Sequence, residues 1–169
     1  MSRIAIVFFM LARMLPAQPP ELGQGWLPEF NLAARQLVSL AEATPAGKFG
    51  WRPRTGVRSV SEVYMHIALG NYWLLEHAGA ESPIDTSKLT GGMEKKVTGK
   101  AEVIKWLKDS QQAVRDGYAK TDLTKKLEFF GKPSTAEFVF LRILVHNHEH
   151  MGQSIAYARM IGVVPPWSK

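Results

Sequence analysis

Apolar residues recur along the chain with a helical period in four stretches, separated by segments rich in Gly, Pro and polar residues. From Pro28 to Ala43, Phe30, Ala33, Ala34, Leu37, Leu40 and Ala41 follow a three-four-three spacing that places them on one helix face, and Pro45 closes the stretch. Ser59-Val60-Ser61-Glu62 has the form of a capping box, so a second helix is predicted from Ser59 as N-cap to about His77, with Gly79 beyond it. A third follows Thr98-Gly99 and carries Val103, Ile104, Trp106, Leu107, Ala113, Val114 and Tyr118 to about Lys120. The fourth is predicted to open with a second box, Ser134-Thr135-Ala136-Glu137. It runs through Ala158 to about Ile161, where Gly162 and Pro165-Pro166 stop it.

No stretch alternates with the two-residue period of a strand over a convincing length, so the predicted class is all-α, a four-helix bundle. The second and third helices are joined by roughly twenty residues, enough to cross the length of a bundle. That places them parallel and gives an up-down-down-up order.

The N-terminus is different in kind. Arg3 precedes an uncharged apolar run, Ile4 to Ala12, followed by Pro16, Ala17 and Gln18-Pro19-Pro20. A positive start, a short apolar core and a small residue at a cleavage point describe a secretory signal, and the run is too short for a permanent membrane span. The expectation is a leader over 1–17 and one domain over 18–169, with export to the periplasm or outside the cell. The alternative is a docked N-terminal helix on a cytoplasmic protein.

The chain has 169 residues and a formal charge of +6, but its lysines and arginines are scattered. The densest groups, Lys95-Lys96 with Lys100 and Lys125-Lys126, fall near predicted helix ends, where charge is ordinarily solvated. No aromatic-basic face accompanies them, so no nucleic-acid partner is expected. With no cysteine, disulfides, thiolate catalysis and Cys-ligated zinc are excluded, and any metal must sit on His, Asp or Glu.

Five histidines occur, all in the second and fourth helical segments. His146 and His150 are one turn apart on one face, a spacing at which two imidazoles can hold one ion. His66 lies about 10 Å from the start of its helix and His150 about 16 Å from the end of its own, at 1.5 Å per residue. If those helices are antiparallel, the three come near one level. Three His ligands leave coordination positions open, the catalytic rather than the structural pattern. His77 and His148 fall away from this group. Glu149 stands beside the ligand face, as a base, a brace for a histidine or a solvated group. Gln153 and Tyr157 extend the face by one and two turns, as pocket residues or polar core contacts.

Two other motif matches fail. His146 to His150 spells H-x-x-E-H, but residues 151–169 hold no acidic third ligand. Gly92 to Lys100 has glycines too widely spaced for a phosphate loop, and Ala101 stands where Ser or Thr would hold magnesium.

Phe49-Gly50-Trp51-Arg52-Pro53, Arg58-Ser59-Val60-Ser61-Glu62 and His66-Ile67-Ala68, together with His146, His150, Met151-Gly152-Gln153, Arg159, Gly162 and Pro165-Pro166, resemble the signature of the DinB/YfiT-like family over about residues 26–169. The resemblance implies an up-down-down-up bundle with one divalent ion, zinc or nickel, on His66, His146 and His150. Met151 departs from it, since many relatives have arginine there. The activities it implies are a metal-dependent hydrolase or transferase acting on an unidentified small molecule, a mycothiol- or bacillithiol-type S-transferase or isomerase, or a non-catalytic metal-binding module. A homodimer is compatible with all three.

Overall fold

Helix α1 spans Trp26–Ala43 and buries Phe30, Ala33, Ala34, Leu37, Leu40 and Ala41, the six residues of the predicted stripe. It starts two residues ahead of Pro28. A proline within the first turn costs no hydrogen bond, because the first four N–H groups of a helix have no intrahelical acceptor. Trp26 anchors the extension by stacking on Phe30 and Tyr118 and donating its indole N–H to Phe140 O at 2.8 Å. Thr44 leaves the helix in an extended conformation, as the residue before Pro45 must. The chain is described here from a computed structural model covering residues 25–90 and 92–168. The leader expected over 1–17 lies outside the described residues.

Helix α2, Val60–His77, begins with the predicted box. Ser59 Oγ accepts from Glu62 N, and Glu62 Oε2 accepts from Ser59 N at 2.9 Å. Gly79, at φ +72°, takes the left-handed position past its end. This helix is buried on nearly every face and packs against α1's neighbours on both sides. A short helix, α3, covers Met93–Lys96 in the connection predicted as loop, and α4 runs Lys100–Lys120 from Gly99.

The connection before the last helix corrects two expectations. Residues Lys126–Phe129 (β1) and Lys132–Thr135 (β2) form an antiparallel hairpin, so the chain is mostly helical with a small two-stranded sheet rather than all-α. Phe130 and Gly131 have φ of 51° and 71°, the two positive values that a two-residue hairpin turn of the favoured hand requires. Ser134 is therefore not a helix cap. It pairs with Leu127 in the ladder, and Thr135 caps α5 (Ala136–Met160) by accepting from Phe138 N.

Side chains tie particular helix ends together. Lys100 Nζ donates to Glu42 O at 2.6 Å and Thr44 O at 2.8 Å, joining the start of α4 to the end of α1. Gly117 lies against Leu75, near the ends of α4 and α2. Inside, Asn147 on α5 donates to Asn71 Oδ1 on α2 at 2.7 Å, and Asn71 donates to Ser110 on α4 at 3.2 Å. All three are buried, and these bonds constrain how the helices slide past one another, while Asn147 Oδ1 is left without a partner among the described residues. Among the described residues no helix is long and apolar enough to cross a membrane.

Candidate metal centre

His66 stands on α2, and His146 and His150 lie one turn apart on α5, facing it. Each offers one ring nitrogen to a common point, with the three nitrogens within 4.8 Å of one another. His66 Nε2 and His146 Nε2 are 3.2 Å apart. Two nitrogens each about 2.05 Å from one tetrahedral ion would be about 3.3 Å apart, so this pair already has the spacing of a shared ligand set. The rings meet edge to face, with centroids 4.6–5.0 Å apart. Gly70, one turn past His66, makes room for this. A Cβ built there would lie 2.4 Å from His146 Cε1, so the His146 ring rests on bare backbone.

Two of the three rings are held from behind. His66 Nδ1 is 2.8 Å from Glu94 Oε1, and a carboxylate can only accept, so Nδ1 carries the proton and Nε2 presents its lone pair to the centre. Arg58 donates to the same carboxylate at 2.8 Å. His150 Nδ1 meets Gln153 Oε1 at 2.9 Å, and Gln153 Nε2 donates to the Tyr157 hydroxyl at 3.1 Å. Such outer acceptors set tautomer and ring orientation at metal sites. His146 is the most deeply set, and its Nδ1 is buried without a hydrogen-bond partner among the described residues.

The profile of the DinB superfamily matches residues 29–154. The chain belongs to the DinB superfamily. A solved structure of a DinB-like protein from Bacillus cereus is similar in fold, with a TM-score of 0.70 at 16% identity, covering 83% of this chain and 93% of that one. No curated protein matches the chain.

In this DinB-superfamily chain, burial together with the charges on His150 and His66 pushes the His146 imidazole down to about 3. Burial lowers His66 as well, against the opposing effect of the hydrogen bond it donates to Glu94. Burial alone would raise Glu94, but the hydrogen bonds and charges of Arg58 and His66 outweigh it and hold the carboxyl below its ordinary range. Two of the three rings, those of His146 and His66, are thus pushed toward the neutral form, and His66 is backed by a carboxylate. That donor set suits a divalent ion of the zinc type, and the three histidines could hold one.

The other candidates separate clearly. Gln153 meets His150, and Tyr157 reaches it only through Gln153. Glu149 does not reach the site: it is exposed and lies 4.0 Å from Arg142, because its position on α5 turns outward between the two ligand positions. His77 bonds Trp73 O at 2.8 Å, and His148 meets Glu29 at 3.2 Å. Sequence reasoning missed Glu94, Arg58 and Gly70. Glu94 sits in a connection with no periodic signal. The mid-helix glycine was a usable clue, since glycine costs about 1 kcal/mol there relative to alanine and calls for a packing reason.

Beside the histidines opens a cavity of about 330 Å³, walled by apolar residues of α2 and the hairpin, with Glu94, Thr90 and Arg142 as its polar groups.

Proposed function

We propose that this protein is a divalent-metal-dependent hydrolase of a small organic molecule, with zinc or nickel held by His66, His146 and His150. The observation that carries the reading is the convergence of three imidazoles on one point at the side of a largely apolar cavity, two of them with Nδ1 engaged from behind. A divalent ion bound there supplies Lewis acidity toward a substrate carbonyl and toward water. Three protein ligands would leave a coordination position for water or substrate. Glu94 keeps the His66 Nε2 lone pair aimed inward, and Gln153 does so for His150. Removal of residues 1–17 on export, as expected from the sequence, favours water over a reduced thiol as the second reactant.

The same reading includes the up-down-down-up helix order. The contact of Lys100 with the end of α1, and of Gly117 with Leu75, supports it.

The test is turnover by metal-loaded and chelator-treated protein on two panels, esters and amides with water alone, and electrophiles with a low-molecular-weight thiol. Hydrolysis that needs zinc or nickel and no thiol is expected. Turnover only with thiol present would replace the hydrolase with an S-transferase.

A further inference from the structure

The cavity contains one cation that the metal reading does not use. Arg58 is engaged with Glu94 and Arg52 with Glu62, at 2.8 and 2.9 Å. Arg142, on α5 one turn before His146, comes no nearer than 4.0 Å to any carboxylate among the described residues, and it lines the cavity. An arginine left loosely paired in a largely apolar cavity is available to a ligand anion, and its planar fork matches a carboxylate in two parallel hydrogen bonds.

The same cavity carries a second unexplained feature. Phe130, at the hairpin tip, is 77% exposed and held at φ 51°, a conformation that bulky residues rarely adopt. A turn of this type would ordinarily use Asn or Asp there, with glycine next. The phenylalanine instead places an aromatic ring on the cavity rim, 5.8 Å from the Trp73 ring. Backbone strain of this kind clusters at active sites and ligand clamps.

We propose that this cavity binds a small organic monocarboxylate with an aromatic body, its carboxylate paired with Arg142 and its body lying against Trp73 and Phe130, beside the three histidines. A phosphate is disfavoured, because a dianion would face a single guanidinium and share the cavity with the Glu94 carboxylate. The proposal rests on and deepens the functional reading, since it names a free carboxylate and an aromatic body as what the ester or amide substrate of the same site carries.

The test is calorimetric titration of the full chain, in excess chelator and again with zinc, using 3-phenylpropionate, 3-phenylpropan-1-ol, acetate and phenyl phosphate. The proposal expects 3-phenylpropionate to bind in chelator, about tenfold or more tighter than each of the other three. Arg142→Gln should weaken it by about tenfold or more, Arg142→Lys by less, and Phe130→Ala by about threefold to tenfold, with thermal melts matching wild type. Equal affinity for the alcohol, tighter binding of phenyl phosphate, no binding of any probe, or affinity unchanged in both Arg142 variants would overturn it. The two readings fail separately. Binding that needs zinc and survives Arg142→Gln overturns the Arg142 site and leaves the metal centre standing. Arg142-dependent binding in a chain that retains no metal does the reverse.

Discussion

Replacing Gly70 with alanine adds one methyl group where the His146 ring now rests. The new Cβ would lie 2.4 Å from His146 Cε1, and ordinary contact begins at 3.4 Å, so the ring must retreat by about 1 Å. Metal–ligand distances tolerate about 0.2 Å. A displaced His146 leaves two imidazoles in register, and affinity for zinc should fall by about a hundredfold, which at saturating metal removes about 2.7 kcal/mol of linked stability. The intrinsic helix effect has the opposite sign, since alanine in a helix interior is favoured over glycine by about 1 kcal/mol. The assay is a zinc titration against a competing chelator, paired with melts with and without EDTA. In EDTA the variant should melt close to wild type, and the increase that zinc gives wild type should be largely absent. A Gly70→Ala chain that binds zinc as tightly as wild type would show that His146 is not held as a ligand in this position.

Glu94→Gln should weaken zinc binding by about tenfold to a hundredfold by loosening His66, while Glu149→Gln should leave it unchanged in the same titration. Thr135→Ala should cost about 1 kcal/mol in denaturant unfolding, and Ser134→Ala much less, because Thr135 is the residue that caps α5. In metal-free protein, the His146 imidazole stays neutral down to about pH 3 when folded but takes up a proton near its ordinary value of 6.5 when unfolded. Stability is therefore retained above pH 6.5 and falls below it, by up to about 1.4 kcal/mol per pH unit from this residue, and His146→Ala should flatten the slope of unfolding free energy between pH 6.5 and 5.

What was legible in the sequence followed local rules. The stripe from Phe30 to Ala41, the Ser59–Glu62 box and the His146–His150 spacing each depend on a few neighbouring residues, and each appears in the structure as expected. The losses came where tertiary contacts decide. Lys126 to Thr135 forms strands of four residues each, too short for alternation to register, joined by a Phe-Gly turn that does not announce a hairpin. That hairpin absorbed Ser134, whose following Glu137 had mimicked a capping box. Glu94 reaches His66 across 28 positions, from a helix of four residues, and no spacing rule spans that distance. Glu149 sits next to a ligand in the chain but one residue off the ligand face, and adjacency on a helix is about 100° of rotation.

The central claim is that His66, His146 and His150 together hold one ion, and metal per chain by elemental analysis of untagged protein tests it most directly. After equilibration with zinc and desalting, wild type, His77→Ala and His148→Ala should each retain about one ion per chain, and His66→Ala, His146→Ala and His150→Ala should each lose most of it while remaining folded, because two imidazoles hold zinc weakly and the helical core does not depend on the metal. Full retention of the ion by His66→Ala would contradict the claim, since α2 would then supply no ligand.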